Sequence, residues 1–253
     1  MPASDAHRRR PASYDQGMPG RPTAHEVLAA VLQIRDGLLQ VLAWRRAQDP
    51  DAGRWALPGG LLGDDEDVAA SVRRQLAEKV DVREVAHVEQ LAVFSAPDRV
   101  PGVRRIATAF LGLVPSDADP AVPADTAWHP VGASPAPADA AFDHAEIVEA
   151  ARERLRAKLS YTNLGFALAP PVFTISALRE HYAAALGHAV SATNLQRVLQ
   201  RRCVLVPTGE LAAPGPAGGR PAALFRFAEP SLRVTDAFAV LRPPGGHTRP
   251  AVP

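Results

Sequence analysis

Residues 55–82 limit the fold of this chain more tightly than its composition does. Trp-Ala-Leu-Pro-Gly-Gly ends at Gly60 and leads into a stretch whose apolar residues recur at every fourth position from Val68 to Leu76. That spacing puts them on one face of a helix, and we predict a helix from about Asp65 to Val80. The glycine pair before the helix also allows a ligand to approach the backbone closely.

Short apolar runs around this segment indicate a β-sheet. The predicted strands are Glu26–Ile34, Leu38–Trp44, Val88–Phe94 and Ile106–Val114. The Asp-Gly pair at 36–37 predicts a hairpin between the first two strands. Residues 115–137, rich in Pro, Ala and Asp, are predicted as loop. A second helix is expected from the acidic cap Asp143, with apolar residues four apart as far as Leu159.

The last third of the chain has the order helix, turn, helix and two strands, which is typical of a winged helix. The predicted elements are helices Thr174–Leu186 and Ser191–Arg202 and strands Val204–Val206 and Ala222–Phe227. We expect a disordered start at 1–22, a first domain at 23–159, a linker at 160–170, the winged helix at 171–230 and a partly disordered extension at 231–253.

Charge is divided unevenly along the chain. Nine arginines and four acidic residues from Ser160 onward give this part a net charge of +5, and the total of +1 leaves −4 for the rest. A basic half joined to an acidic half favours contact with phosphate, although a solvated basic surface is the alternative.

Composition argues against several classes of protein. An apolar content of 47% in 253 residues suffices for one or two folded domains. No apolar run is long enough to span a membrane, and the Pro-rich, basic start lacks the apolar core of a signal peptide. Cys203 is the only cysteine. We therefore expect a cytoplasmic protein with no membrane partner, in which Cys203 fills the core.

The segment from Gly60 to Val82 resembles the Nudix signature: Gly, five residues, Glu, seven residues, then Arg-Glu-aliphatic-x-Glu-Glu-x-Gly-aliphatic. The matching positions are Gly60, Glu66, Arg74, Leu76, Glu78 and Val82. The departures are Gln75 and Lys79, which replace glutamates, and Asp81, which replaces the glycine. The resemblance implies an α/β/α sandwich around a mixed sheet, and with the C-terminal winged helix-turn-helix it predicts the α+β class.

The departures fall on the residues that carry the family's chemistry. Nudix pyrophosphohydrolases resemble one another in using glutamates on this helix to hold Mg²⁺ against a diphosphate. Positions 75, 78 and 79 share one side of the helix, but Gln75 is neutral and Lys79 offsets Glu78. Each unit-charge contact is worth on the order of 4 kcal/mol at about 4 Å and an effective dielectric of roughly 20. We predict no metal site, no catalytic residue and no hydrolysis. The resemblance implies that Glu66 and Arg74 pair to brace the loop against the helix, and a surface ion pair worth under about 1 kcal/mol is the alternative.

A nucleotide pocket can remain after the catalytic groups are lost. The predicted ligand contacts are Arg45, Arg46, Trp55, Gly59, Gly60, Arg104 and Arg105. The arginines suit a diphosphate, Trp55 offers a stacking surface and the glycines let a phosphate approach the backbone. The alternative is that Trp55 belongs to the core and that the arginines are solvated.

The predicted helix 191–202 has an apolar face and a basic polar face. The predicted DNA contacts are Thr174, Ser176, Thr193, Asn194, Arg197, Arg201 and Arg220. Short polar side chains and arginines on a recognition helix read base edges or grip phosphate. The hydroxyls that begin the preceding helix meet phosphate, and Arg220 lies at the base of a wing formed by 208–219. The alternative is an ordinary amphipathic helix.

Both domains and the segment between them resemble, in order, the Nudix-related transcriptional regulators of NAD metabolism. The resemblance rests on 161–175, on Asn-Leu-Gln-Arg at 194–197 and on Gly-Arg-Pro-Ala at 219–222, and covers roughly residues 25–230. It implies a homodimer that binds a double-stranded DNA operator and represses NAD biosynthesis or salvage genes. It also implies ADP-ribose or a related nucleotide as effector, with no cofactor required. Many members have Asn-Phe-Arg-Arg in the recognition helix, so the operator sequence does not transfer.

Two other functions are compatible with the sequence. The first is an active ADP-ribose or nucleoside-diphosphate pyrophosphatase with an accessory nucleic-acid-binding domain, which would recruit metal through Glu66, Glu78 and an outside carboxylate. The second is a binding scaffold whose winged helix contacts protein. Release of AMP from ADP-ribose would favour the enzyme, and failure to protect an operator would favour the scaffold.

Overall fold

The computed structural model describes residues 22–132, 137–213 and 221–236. Strands β1 (Thr23–Arg35) and β2 (Leu38–Arg45) form the predicted hairpin. Its turn residues Asp36 and Gly37 both have positive φ values, 50° and 73°. Such a turn matches the twist of the two strands, which is why Asp-Gly is favoured there.

Seven strands within the described ranges form one mixed sheet. The other elements of this domain are β3 (Trp55–Ala56), β4 (Gly59–Leu61), α1 (Val68–Val80), β5 (His87–Phe94), β6 (Arg104–Leu113), β7 (Thr126–Pro130) and α2 (His144–Tyr161). The strand order is β3-β2-β1-β6-β5, with β4 on β1 and β7 on β2, and β1 runs parallel to β6. Alternate β1 residues face different helices, since Leu28 and Leu32 pack with α2 whereas Val27 and Val31 pack with α1. The predicted α/β/α layering around a mixed sheet is confirmed.

Three local predictions for this domain were wrong. Helix α1 begins at Val68 and not at Asp65, because the Asp67 side chain caps it by accepting from the Ala70 N–H at 2.7 Å. The predicted loop 115–137 contains β7, which pairs with β2. Asp143 occupies the cap position of α2 but makes no capping hydrogen bond, because its carboxylate binds an arginine.

The C-terminal elements confirm a winged helix. They are a 3₁₀ helix (Leu164–Ala167), β8 (Phe173–Thr174), α3 (Ile175–Leu186), α4 (Ala192–Arg201), β9 (Leu205–Leu211) and β10 (Ala223–Phe227). Thr174 and Ser191 cap the two α-helices, and Gly187 ends α3 with φ 75°. The strands form an antiparallel sheet of order β8-β10-β9. The sequence did not predict β8, and β9 extends beyond the predicted 204–206.

One apolar core joins the two domains. The segment 160–170 holds the end of α2 and the 3₁₀ helix, and its side chains from Thr162 to Ala169 are buried. The same buried cluster includes Leu32 of the sheet, Leu168 of this segment and Leu178 of the winged helix. The winged helix is therefore packed against the first domain.

Part of the C-terminal extension adds to this junction. The Asn163 side chain donates to the Ser231 carbonyl at 2.8 Å and accepts from the Arg233 N–H at 2.6 Å. Arg202 donates to the Asp236 carboxylate at 2.7 Å. Residues 231–236 are therefore hydrogen-bonded to the residues that follow α2 and α4.

Cys203 does not fill the core as predicted. It is exposed in the turn after α4, with φ 54°, and this turn points its side chain outward while Val204 is buried. Within the described ranges, no helix has the length and apolar content needed to cross a membrane.

Candidate functional site

The two carboxylates retained in the box both bind Arg74. Arg74 Nε donates to Glu66 at 2.9 Å, and its Nη1 donates to Glu78 at 3.0 Å. Glu66 also accepts from the Gly63 N–H at 2.9 Å. The hydrogen bond from Arg74, with that from Gly63, lowers the pKa of Glu66 to about 2. These contacts tie the loop before α1 to the helix.

Gln75 is buried against the glycine pair. Its side chain lies against Gly60, with Nε2 3.4 Å from the Leu61 carbonyl, and its Oε1 has no hydrogen-bond partner among the described residues. A Cβ at Gly60 would come within 2.7 Å of Gln75 Nε2, and a Cβ at Gly59 would come within 2.2 Å of the Val27 carbonyl. Pairing of β4 with β1 therefore requires glycine at position 59, whereas a side chain at position 60 would displace the end of the Gln75 side chain.

Lys79 follows Gln75 by one helical turn. Its Nζ lies 6.0 Å from the centroid of the Trp44 ring, and it forms no salt bridge with a described carboxylate. Positions 75, 78 and 79 thus present a buried amide, a carboxylate bound to arginine and an ammonium. Within the described ranges, no cluster of three His, Cys, Asp or Glu residues is arranged to hold a metal. The magnesium ion of the Nudix family does not fit this donor set, because only one of the three groups is anionic.

Asp81 occupies the position where the signature has glycine. It is the C-cap of α1 in the left-handed region, with φ 52°, and its N–H donates to the Leu76 carbonyl. Asp adopts this conformation more readily than most residues with a side chain. The substitution therefore preserves the end of the helix.

Arg45 and Trp55 contact each other. The Arg45 guanidinium lies 4.4 Å from the Trp55 ring centroid and donates to the Gly53 carbonyl at 2.7 Å. The His129 ring packs edge-on against the same indole at 4.3 Å. A base that stacks on Trp55, as the sequence predicts, would have to displace one of these neighbours.

A cavity of about 450 Å³ lies beside the start of α2. Its lining includes Arg54, Phe94, Arg99, Phe142 and Glu146. Arg99 is buried and links β1 to the start of α2. It donates to Glu26 at 2.9 Å and to Asp143 at 2.7 and 2.8 Å. Cationic and aromatic groups in one concave surface are suited to a nucleotide.

Three of the predicted ligand residues do not line this cavity but contact residues at it. Arg46 lies 4.7 Å from the Phe142 ring centroid, and Arg105 reaches Glu26 at 3.4 Å. Arg104 donates to the Ser95 carbonyl at 2.8 Å, and its Nη1 is buried without a described partner. Arg46 and Arg104 thus contact the lining residues Phe142 and Ser95, and Arg105 contacts Glu26, a partner of Arg99. Gly59 and Gly60 instead lie on β4 next to β1, with Gly60 beside Gln75 of α1.

Arg99, Phe142 and His144 were not predicted from the sequence. His144 is fully buried, and its Nδ1 accepts from the Leu57 N–H at 2.9 Å. Burial lowers the pKa of His144 to about 4. No local pattern marks these residues, because their hydrogen-bond partners, such as Leu57 for His144 and Glu26 for Arg99, lie more than forty positions away along the chain. The Asp-His pair at the start of α2 was the only signal available.

The exposed face of α4 carries the predicted recognition residues. Thr193, Asn194, Arg197 and Arg201 are exposed, while Leu195 and Leu199 are buried. Ser176 is also exposed, but the Thr174 hydroxyl is used as a cap, accepting from the Ala177 N–H at 3.2 Å. Arg220 lies outside the described residues, as do residues 214–219 of the predicted wing 208–219.

Known proteins resemble both halves of the chain. The NUDIX domain family matches residues 24–151, and the NrtR DNA-binding winged helix domain matches residues 165–227. The ADPR responsive transcriptional repressor NtrR of Acinetobacter baylyi is 30% identical over 204 residues, which are 79% of this chain and 80% of that protein.

Two solved structures match this chain over nearly the same length as the Acinetobacter relative does. Shewanella oneidensis NrtR matches with a TM-score of 0.71 and 31% identity, covering 82% of this chain and 94% of that one. Its complex with a 27mer DNA matches with a TM-score of 0.69 and 29% identity, covering 81% and 93%. This chain therefore belongs to the NrtR family, as the sequence predicts, with a NUDIX domain followed by a DNA-binding winged helix domain.

Proposed function

We propose that this protein is an operator-binding repressor of NAD biosynthesis or salvage genes, and that its NUDIX domain senses ADP-ribose or a related nucleotide without hydrolysing it. The exposed polar and basic face of α4 carries the proposal, because it is presented on a winged helix packed against the NUDIX domain. The Acinetobacter relative is named for the same two properties, ADPR response and repression.

Sensing without hydrolysis follows from the donor set on α1. Hydrolysis in this family needs carboxylates that concentrate divalent cations at the diphosphate. Here Gln75 is neutral, Glu78 is bound to Arg74 and Lys79 is cationic. The cavity beside α2 supports nucleotide binding, because Arg46 and Arg104 contact its lining residues Phe142 and Ser95, and Arg105 contacts Glu26, a partner of Arg99.

Hydrogen bonds between the two domains connect the nucleotide-sensing domain to the operator-binding domain. His181 of α3 bonds the Ser116 hydroxyl at 2.7 Å, and Arg202 after α4 donates to the Ser160 carbonyl at 2.8 Å. A nucleotide that prefers one arrangement of these domains shifts the population toward that arrangement and so changes the affinity for the operator. By linkage, the operator changes the affinity for the nucleotide by the same free energy.

We further propose that this protein binds its operator as a homodimer. In a two-fold dimer, two recognition helices lie about 34 Å apart and meet successive major grooves. An operator as partner also implies the cytoplasmic location expected from the sequence. No cofactor is required in this scheme, because the nucleotide acts only as an effector.

A mobility-shift assay with the DNA upstream of the protein's own gene tests this function. We expect a specific complex that weakens steeply with salt and responds to ADP-ribose more strongly than to NAD or ATP. Arg197→Ala and Arg220→Ala should each lose most of the affinity. Unchanged binding in both variants would contradict the assigned interface. Release of AMP from ADP-ribose with Mg²⁺ or Mn²⁺, at ordinary enzyme turnover, would instead favour a pyrophosphatase.

A further inference from the structure

We propose that a cavity between α1, the loop 81–86 that follows it and residues 230–232 binds a small organic anion with an apolar body. Its volume is about 470 Å³, and it shares no lining residue with the cavity beside α2. Ligand pockets usually have volumes of about 300–1,000 Å³. The proposal therefore adds a second ligand site and does not depend on nucleotide sensing.

Most of the lining of this cavity is apolar. It includes Leu76 of α1, Val82 of the loop and Phe166 of the 3₁₀ helix, all three of which are buried. Leu232 also lines the cavity, and its side chain is still 38% exposed. A ligand with an apolar body would remove more of this surface from water, which favours binding.

Two arginines give the same cavity a positive charge. Arg73 and Arg83 line it, and none of its described lining residues is Asp or Glu. Arg73 is exposed, and its hydrogen bond to the Ala69 carbonyl, at 3.3 Å, leaves its other N–H groups available. Arg83 pairs with Asp81, but this pair is exposed and therefore weak. An anionic group on the ligand would find two guanidinium partners here.

A neighbouring cavity of about 590 Å³ has a different charge. It shares three lining residues with the first, but its lining also includes Glu84, Asp117 and Arg226. Two carboxylates there outweigh one guanidinium, so an anion is attracted less strongly than it is by two arginines without a lining carboxylate. This contrast assigns the anion to the first cavity.

Parts of both domains border the proposed site. Helix α1 and the loop after it belong to the NUDIX domain, whereas Pro230 follows the end of β10 by three residues. The Asn163 side chain donates to the Ser231 carbonyl at 2.8 Å, which holds this segment at the junction. A ligand that binds only the folded arrangement stabilises it. Occupation of the site should therefore raise the temperature at which the two domains unfold.

Isothermal titration of the full chain with decanoate and with decyl phosphate, below their micelle concentrations, tests the proposal. We expect saturable binding of one molecule per chain, and the anion that binds more tightly identifies the favoured charged group. Decyltrimethylammonium has the same chain length and the opposite charge, so it should bind at least about tenfold more weakly. Thermal unfolding followed by circular dichroism should show a rise in Tm with the anions.

Two variants locate the binding site. Arg73→Gln combined with Arg83→Gln should weaken anion binding about tenfold or more, because it removes the charge-assisted contacts. Ala77→Glu should do the same, since Ala77 lines the cavity one helical turn after Arg73 and the new carboxylate would pair with that guanidinium. Circular dichroism without ligand establishes that each variant is folded.

Arg226→Gln is the matched control. Arg226 is also exposed, but it lines only the neighbouring cavity, and its side chain donates to the Phe227 carbonyl at 3.5 Å. Anion affinity in this variant should equal that of the parent. An equal loss in Arg226→Gln and in the double variant would overturn the assignment. Absence of saturable anion binding, or equally tight binding of decyltrimethylammonium, would overturn the proposal as a whole.

Discussion

The guanidinium of Arg197 donates a 2.7 Å hydrogen bond to Oδ1 of Asn194 on the exposed face of α4. Bidentate reading of adenine by asparagine needs both the oxygen and the nitrogen of the amide. Because that oxygen is engaged by Arg197, Asn194 has only its N–H₂ group to offer. Arg197 keeps further N–H donors, which match the O6 and N7 acceptors of guanine.

We therefore expect Arg197 to set the preference for guanine in the operator. Arg197→Ala should weaken binding by about 10- to 100-fold and relax the requirement at one base pair, in line with about 1–3 kcal/mol for such a contact. Fluorescence anisotropy with duplexes substituted at single positions measures both effects. Arg73→Ala removes the same charge from α1 instead of α4 and should change neither. A uniform loss across all substituted duplexes would instead make Arg197 a phosphate contact.

The ion cluster at Arg99 should contribute strongly to stability. The Arg99 side chain is 1% exposed and holds the carboxylates of Glu26 and Asp143. Arg99→Met would leave Asp143 without its guanidinium and Glu26 with only Arg105 at 3.4 Å, and losing one partner of such a cluster typically costs about 3–5 kcal/mol. Urea unfolding measures this cost.

Arg83→Met is the control for that experiment. Arg83 pairs with Asp81, but their side chains are 74% and 52% exposed. Exposed pairs contribute under about 1 kcal/mol. Equal destabilisation by the two substitutions would show that the Arg99 cluster has no special role.

The packing between the domains depends on the fit of Gly165 to Tyr182. A Cβ at Gly165 would lie 2.6 Å from the Tyr182 hydroxyl, which is buried and has no described hydrogen-bond partner. Gly165→Ala should destabilise the protein by about 1–3 kcal/mol through overpacking. Tyr182→Phe should be neutral or stabilising by about 1 kcal/mol, because it removes an unsatisfied hydroxyl.

The double variant decides whether the two residues act together. Gly165→Ala with Tyr182→Phe should cost less than the sum of the two single effects, since the hydroxyl is the nearest atom to the new methyl group. Thermal unfolding followed by circular dichroism gives the required differences. Strict additivity of the two effects would contradict the contact.

Elements whose signal is local could be predicted from the sequence. The hairpin follows from Asp36 and Gly37, and α3 follows from its cap Thr174 and its terminal Gly187. Strand β7 could not be predicted in this way. Its pairing with β2 is a tertiary contact between residues more than eighty positions apart, and its Pro-rich flanks carry the signal of a loop.

The site residues, too, could be predicted only where their signal is local in the sequence. The exposed residues of α4 share a helix face, so periodicity alone groups Asn194 with Arg197. Trp55 illustrates the limit, because sequence cannot show that Arg45 covers its ring. Arg99 binds Glu26 from 73 positions away, and only the folded sheet brings them together.

His144 should make the protein less stable as the pH falls below neutrality. In the native state its Nδ1 must stay unprotonated to accept from the Leu57 N–H, and burial holds its pKa at about 4. The unfolded chain takes up the proton near the ordinary value of 6.5. Between those two values the unfolded state binds more protons, so the free energy of unfolding falls with pH by up to about 1.4 kcal/mol per pH unit.

Urea unfolding at a series of pH values, compared with His144→Asn, isolates this effect. Asn can keep an acceptor close to the Leu57 N–H but does not titrate, so the variant should lose the slope between pH 6.5 and 4. We expect the parent to lose about 3 kcal/mol more than the variant across this window. The lowered pKa of Glu66, about 2, acts only below its usual value of 4.5, and it is common to both proteins. Parallel slopes in parent and variant would mean that His144 is not the group that titrates.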